Sequence, residues 1–273
     1  MNSRNRDVTV AYRLSVALAL LLLLASVVGL LVPSVYRDPH EWADQARGIN
    51  AVDLLVTVPT LVASMVFSTW GSWRARLVWL GVLGYLLYDG VIFAFDVAFN
   101  PLFLVYVGIL SLSFWSSIVI LTGLDVDALR SRFSLGTPIR AVSLYLLAVA
   151  ALFFLVWMKG IVPAILSNTM PADIVKAKIP TNPVYVLDLG FLLPAFVIAA
   201  IWLRGRRGWG YALAGPLLVV QSILGLNIIA SALFPFWDGQ SVSLGIVPLF
   251  IVLTLASAVL AVRYLRSLRE GPP

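Results

Sequence analysis

Residues Arg76 to Pro101 read Arg-Leu-Val-Trp-Leu-Gly-Val-Leu-Gly-Tyr-Leu-Leu-Tyr-Asp-Gly-Val-Ile-Phe-Ala-Phe-Asp-Val-Ala-Phe-Asn-Pro. A helix of this length and apolarity crosses the bilayer core, which is roughly 30 Å thick. Asp89 nevertheless lies near its middle, and Asp96 lies near one end. Because a carboxylate at membrane depth is costly, it is usually buried inside a helical bundle and usually has a function. The stretch therefore predicts a membrane protein built around an acid.

The composition agrees with this prediction and excludes several classes of site. The chain is 61% hydrophobic and 12% charged, with a mean hydropathy of +0.98, whereas a soluble domain has about 25% charged residues. The net charge of +6 is spread in short clusters between apolar runs, which argues against a nucleic-acid-binding face. Without cysteine, and with one histidine, no disulfide or thiolate site can form and no metal or cofactor is expected.

Eight apolar runs are long enough to cross the bilayer as helices. A transmembrane β-barrel is not expected, because the alternating pattern of its strands is absent. The sequence therefore predicts an all-α polytopic membrane protein with one transmembrane domain over residues 1–273. We number the runs as spans one to eight: 13–33, 51–70, 77–98, 101–122, 141–158, 184–203, 209–233 and 244–264.

The basic residues predict the orientation of the chain. Of the 19 lysines and arginines, 14 fall on the side that carries both termini. Cytoplasmic loops are enriched in basic residues, so both termini are expected in the cytoplasm and the protein in the cell membrane (inner or plasma membrane). The 14 residues are Arg4, Arg6, Arg13, Arg74, Arg76, Arg130, Arg132, Arg140, Arg204, Arg206, Arg207, Arg263, Arg266 and Arg269.

Span one also has features of a secretory signal peptide, since Arg4, Arg6 and Arg13 precede its apolar core. That core is longer than a usual signal-peptide core, and no small-x-small cleavage site follows. We therefore expect the segment to be retained. Cleavage would leave seven spans with the same orientation.

The first outer loop contains His40-Glu41-Trp42-Ala43-Asp44. His40 and Asp44 are four residues apart and share a helical face, while Glu41 points elsewhere. A metal site needs three or four ligands, and the local sequence does not supply them. We therefore expect a short interfacial helix here, with Trp42 at the lipid headgroups, and no metal.

Two short segments with matching sequence predict an internal duplication. Span two opens with Asp53-Leu54 and has Pro59 six residues after the acid, and span six opens with Asp188-Leu189 and has Pro194 at the same distance. Four spans return the chain to the same side, so the repeats, 1–123 and 140–266, would be two parallel four-helix units. An aspartate at the start of a helix is also favoured simply as a cap, so structural and functional readings both remain open for these two acids.

The polar residues inside the spans are the candidate site. On span three, Tyr85, Asp89 and Asp96 recur at spacings of four and seven and share one face, and Tyr85 is expected to donate a hydrogen bond to Asp89. We expect a cavity open to the outside, with Asp89 at its floor and Asp53, Asp96 and Asp188 at its rim. The candidate cation- or proton-binding residues are Asp89, Tyr85, Asp96, Asp53, Asp188, Gln221 and Asn227.

Three hypotheses for function follow from these residues. The leading one is a small transporter or an ion- or proton-binding membrane protein, because acids within spans mark ion pathways and proton relays. The alternatives are a structural or assembly subunit of a membrane complex and a membrane-embedded enzyme that pairs Asp89 with Asp96 or Asp188. The chain lacks Gly-x-Ser-x-Gly, His-Glu-x-x-His and glycine-rich phosphate-loop motifs, so no catalytic residue is assigned. The expected partners are the lipid bilayer and a small solute or cation, and the oligomeric state is open.

Two segments resemble a known group of proteins. Residues 71–105 contain Arg-Leu-Val-Trp-Leu-Gly, Tyr-Leu-Leu-Tyr and Phe-Asn-Pro-Leu-Phe-Leu-Val-Tyr, and residues 184–214 contain Tyr-Val-Leu-Asp-Leu-Gly-Phe-Leu-Leu-Pro. They resemble a widespread group of bacterial and archaeal polytopic membrane proteins without an assigned function. The resemblance implies an integral membrane protein, and it implies no activity and no functional residue.

Overall fold

The computed structural model describes residues 3–241 and 244–271, with side chains from residue 9 onward. The side chains of Arg4 and Arg6, which contribute to the predicted orientation, lie outside the described part. Within the described residues the chain is helical and forms no β-strand. Eight helical segments are long and apolar enough to cross a membrane, which confirms the all-α polytopic fold.

Twelve α-helices occur in the described residues, and two pairs of them join into single spans. The helices are α1 (Ser3–Leu31), α2 (His40–Val52), α3 (Val58–Thr69), α4 (Trp73–Phe95), α5 (Phe103–Thr122), α6 (Val126–Ser131), α7 (Ile139–Leu166), α8 (Ala172–Ala177), α9 (Pro183–Leu187), α10 (Leu193–Arg204), α11 (Gly208–Trp237) and α12 (Val247–Arg266). Span two is α2 with α3, and span six is α9 with α10. Spans three, seven and eight are α4, α11 and α12, and α6 and α8 are short helices in the loops.

Span two begins much earlier than predicted. Its helix starts at His40 and continues to Thr69, so the separate interfacial helix expected in the first outer loop does not exist. Polar residues lower the hydropathy of the first part of this helix, so the sequence does not indicate where it starts. Inside the bundle these residues have hydrogen-bond partners. Asn50, for example, is buried and donates hydrogen bonds to the Tyr36 hydroxyl and the Ala46 carbonyl.

Two spans contain the same irregular turn. Residues Asp53–Thr57 and Asp188–Leu192 each form a π-turn inside a continuous helix. In each turn, the N–H of the residue just before the proline donates to the carbonyl oxygen of the aspartate five residues earlier. Pro59 and Pro194 have no N–H and clash with a regular preceding turn, which explains why the helix widens at both places. The two matching segments therefore fold into the same local structure.

These turns also correct the interpretation of both acids as helix caps. Asp53 lies well inside the helix that starts at His40, and Asp188 follows the helix that starts at Pro183. Neither side chain caps a free helix end. Turns of this kind are frequent at functional sites, and each of these places an aspartate side chain toward span three.

Spans three and seven form the centre of the bundle. Helix α4 packs against α3, α5 and α11, and α11 packs against α2, α4, α10 and α12. The apolar window of span three is 61% buried, compared with 28–39% for the other seven spans. Span three is therefore the helix most shielded from lipid, as expected for the span that carries an acid near its middle.

The outer surface of the bundle is apolar, as a lipid-facing surface requires. Large side chains on different spans are mostly exposed, including Leu55 (72%), Leu104 (78%) and Leu155 (66%). A soluble monomer rarely exposes so many large apolar side chains to this degree. Such a surface is what a multi-pass membrane protein presents to lipid tails.

The residues after α12, from Leu268 to Glu270, form what we call the C-terminal strap. The strap lies at the basic end of the bundle, which is the end that carries most of the basic residues named above. The carboxylate of Glu270 accepts hydrogen bonds from the Ser72 hydroxyl (2.8 Å) and from the backbone N–H groups of Trp73 and Arg74 (both 3.0 Å). The Arg74 guanidinium in turn donates to the carbonyl of Leu268. A negative charge at a helix N-terminus is favourable, so the strap stabilises the start of α4 and ties it to the end of α12.

Candidate functional site

Asp89 lies between two cavities of very different size. It is 6% exposed and lines both a cavity of about 10 Å³ and one of about 470 Å³. We call these the small cavity and the inner cavity. Asp89 is thus buried between two spaces near the middle of span three.

The small cavity has the size of one water molecule, for which roughly 10–15 Å³ is needed. Four of its lining residues have a side-chain oxygen atom, and no basic side chain lines it among the described residues. Its lining consists of Asp89, Asp53, Asn50, Tyr106, Leu22, Ala25, Gly90, Phe93 and Ile109. The cavity thus brings two carboxylates together without a positive side chain to balance them.

A hydrogen-bond cluster fixes the second of these carboxylates. Asp53 Oδ1 accepts from the hydroxyls of Thr57 (2.9 Å) and Tyr85 (2.7 Å), and the Tyr85 oxygen accepts from Asn227 Nδ2. The predicted interaction of the Tyr85 hydroxyl with the Asp89 carboxylate is present. The bond from Tyr85 to Asp53 on span two was not predicted. The cluster therefore connects spans two, three and seven at the level of Asp89.

Replacing Tyr85 with phenylalanine should weaken this cluster more than the same change at Tyr88. Tyr85→Phe leaves the buried Asn227 amide without its acceptor and removes one donor from Asp53. Leaving such a group unsatisfied costs about 1–3 kcal/mol of unfolding free energy. Tyr88→Phe removes only a donor to Asp188, which keeps its bond from Trp157. Denaturant unfolding of both variants in the same detergent measures the difference, and equal destabilisation would contradict the cluster.

The inner cavity lies between span three and the second half of the bundle, and Asp188 is on its wall. Asp188 Oδ1 accepts from the Tyr88 hydroxyl (3.1 Å), and Oδ2 accepts from Trp157 Nε1 (2.8 Å). Asp89, Gln221 and Asn227 also line this cavity. The structure therefore brings four of the candidate residues to one space: Asp89, Asp188, Gln221 and Asn227.

An outer vestibule of about 510 Å³ adjoins the inner cavity on the side away from the basic end. Asp96 lines it together with Asp38, Arg37 and Lys178. Helix α4 ends at Phe95, so Asp96 follows the helix instead of continuing its buried face. Burial, and to a smaller extent the charge of Asp38, raises the pKa of Asp96 above its usual range. Four residues line both spaces: Ile49, Ile92, Val184 and Ser231.

Three spaces thus replace the predicted single cavity, and Asp89 lines two of them. Asp188 lies on the wall of the inner cavity, and Asp96 lies further out, in the vestibule. Asp53 does not lie on the rim of the same cavity, because it faces the small cavity on the other side of Asp89. Gln221 lines the same cavity as Asp89, as its predicted depth suggested.

A separate polar cluster lies at the outer end of spans two and seven. His40 Nδ1 is 3.3 Å from Asp44 Oδ2, and His40 Nε2 is 3.3 Å from Asp238 Oδ2. The third group that the local sequence lacks thus comes from a distant part of the chain, and these three residues could hold a metal ion. Asp44 is already paired with the Arg47 guanidinium at 2.7 Å and accepts from Gln240 Nε2 at 2.6 Å. In this arrangement the cluster fastens two spans together.

Sequence reasoning missed several residues of the site. Tyr88 and Trp157 were not predicted, although they hold Asp188, and Thr57 and Asn50 were not predicted beside Asp53. One signal was available, since an indole N–H or a phenol hydroxyl inside a span needs a hydrogen-bond partner. Which acid each group reaches depends on helix rotation, and one sequence does not determine that rotation.

No protein-family model matches this sequence, and neither the search of curated proteins nor the search of solved structures found a similar protein. The resemblance to a group of polytopic membrane proteins therefore assigns no residue here. Function has to be argued from the site itself.

Proposed function

We propose that this chain is a small cation-binding membrane protein of the transporter type, in which Asp89 exchanges a proton for a monovalent cation. The proposed site is the small cavity, with Asp89 and Asp53 as the carboxylates. Tyr85 and Asn227 position Asp53 through the hydrogen-bond cluster. The proposal places the protein in the cell membrane with its basic end in the cytoplasm.

The observation that carries this proposal is the pairing of two buried carboxylates around one water-sized space. Two negative charges at membrane depth are unfavourable unless something positive lies between them. No lysine, arginine or histidine lines the small or the inner cavity among the described residues. The balancing charge must then come from solution, as a shared proton or as a bound cation.

The spaces next to this site also favour transport over a purely structural role. The outer vestibule shares four lining residues with the inner cavity, and Asp89 lines the inner cavity. An acid that only holds helices together needs no such space beside it. The vestibule lies opposite the basic end, so the proposed orientation opens it to the outside.

The proposal includes the duplicated architecture, with repeats 1–123 and 140–266. The shared π-turns give Asp53 and Asp188 the same local setting, and each acid accepts a hydrogen bond from a tyrosine of span three. Spans three and seven, which are equivalent in the two repeats, pack against each other at the centre. In this arrangement one half carries the ion site and the other carries the larger cavity.

Proton release on cation binding tests the proposal. Purified protein in weakly buffered detergent solution, with a pH indicator, should release about one proton per molecule when Na⁺ is added, because a cation and a shared proton compete for the same carboxylates. Choline chloride is the matched salt control, and K⁺ and Li⁺ extend the series. If none of these cations releases protons, the exchange proposal is contradicted and the assembly-subunit alternative is favoured.

A further inference from the structure

The inner cavity is far too large for the ion that the proposed function requires. Its volume of about 470 Å³ falls within the range of small-molecule sites, roughly 300–1,000 Å³. The small cavity alone suffices for a bare monovalent cation. The proposed ion does not account for a cavity of this size.

The wall of the inner cavity is mainly aromatic and aliphatic. Rings from four different spans surround it: Tyr88, Phe153, Trp157, Phe196 and Phe250. Such a wall favours an occupant with an apolar body, because it offers that body contact area and few competing polar groups. Aromatic faces also attract organic cations, most strongly where water is excluded.

Several polar groups of the inner cavity are hydrogen-bond acceptors, and one of them has no donor within the described residues. Asp188 and Asp89 contribute carboxylates, and Asn227 is only 4% exposed. Its Oδ1 atom has no hydrogen-bond partner within the described residues, because Nδ2 is the atom that bonds to Tyr85. A buried acceptor without a partner is unfavourable, and an N–H donor on the occupant would satisfy it.

From this combination we propose that the inner cavity binds a protonated organic amine with an apolar, preferably aromatic, body. The ammonium group pairs with Asp188, whose carboxylate Tyr88 and Trp157 hold in place. The body of the amine lies among the aromatic rings, and the Asn227 oxygen accepts a further hydrogen bond. This inference names the solute class for the proposed transporter, and it rests on that function.

Asp89 connects this solute to the ion. It lines both cavities, so a cation in the small cavity and an ammonium group in the inner cavity compete for its charge. Competition of this kind makes the two binding events antagonistic and reciprocal. Amine affinity should accordingly fall when Na⁺ occupies the small cavity, which is the behaviour of an exchanger.

The test compares three probes of similar shape by calorimetric titration into protein in lipid nanodiscs. Phenethylamine should bind about 30-fold more tightly than its neutral match, 2-phenylethanol, because its ionic and cation–π contacts are made against a mainly apolar wall. The anionic match, 3-phenylpropionate, should not bind. Asp188→Asn should weaken phenethylamine binding by about 30-fold or more, whereas Asp127→Asn, at the opposite end of the molecule, should leave it unchanged.

Equal binding of the amine and the alcohol overturns the inference, as does failure of phenethylamine to bind at its highest soluble concentration. Unchanged amine affinity in Asp188→Asn overturns the assignment of Asp188. If that variant does not fold, the comparison of the three probes on the wild-type protein still tests the inference. Na⁺-induced proton release is measured separately, so a protein that passes that assay and fails this one keeps its ion site and loses only the amine.

Discussion

Asp89→Asn should abolish Na⁺-dependent proton release while the protein remains folded. Asparagine has nearly the shape of aspartate but carries no charge, so the small cavity loses one of its two carboxylates. Removing one partner of a buried charge pair costs about 2–5 kcal/mol, which corresponds to cation binding that is about 30-fold weaker or more. The indicator assay on wild type and variant measures this loss directly.

Asp96→Asn is the matched control for this experiment. It makes the same chemical change at the end of the same span, but Asp96 faces the outer vestibule and does not line the small cavity. Proton release should therefore stay close to that of the wild type. Equal loss in both variants, or normal release from Asp89→Asn, would contradict the assigned site. Loss of folding in Asp89→Asn alone would instead favour the structural-subunit alternative.

Gly81→Ala should destabilise the bundle far more than Gly84→Ala. A Cβ atom at Gly81 would lie 2.6 Å from the Val219 Cβ and 2.8 Å from the Pro216 carbonyl oxygen, whereas one at Gly84 meets only a Val220 methyl at 3.2 Å. Spans three and seven would have to separate at Gly81, and overpacking of this kind costs about 1–3 kcal/mol. Both changes gain the same helix propensity, so the difference between them reports packing alone.

Thermal unfolding of the two glycine variants in one detergent measures this difference. Gly84→Ala should unfold near the wild-type temperature, or slightly above it, and Gly81→Ala several degrees lower. The same contact brings Tyr85 and Asn227 together, so Gly81→Ala should also weaken cation binding. Similar unfolding temperatures would show that spans three and seven are not packed this closely.

The helical content and the number of spans could be predicted because the bilayer imposes a simple rule on apolar length. Helix ends were less predictable where polar residues have partners inside the protein. His40, Arg47 and Asn50 lower the hydropathy of the first part of span two, and the true helix start at His40 was missed for that reason. The cap interpretation of Asp53 and Asp188 failed for a related reason, since each helix begins upstream of its acid.

The sequence gives the depth of each candidate residue along its helix. The candidate site could be predicted only to that extent. Asp89, Gln221 and Asn227 lie deep in their spans, and the structure places all three beside the inner cavity. The direction of each side chain depends on how helices rotate and pack, which the spacing on one helix does not give. The hydrogen bond from Tyr85 to Asp53 on the neighbouring span was therefore not predicted.

The most direct test of the central claim is the carboxyl band of Asp89 itself, followed by infrared difference spectroscopy of lipid-reconstituted wild type and Asp89→Asn. We predict a protonated-carboxyl band that decreases when Na⁺ is added or the pH is raised, and that is missing from the variant. Such a band would identify Asp89 as a group that exchanges a proton for a cation from solution. A band of constant intensity across pH and Na⁺ concentration would contradict the account, and Asp89 would then be an acid that only holds helices together.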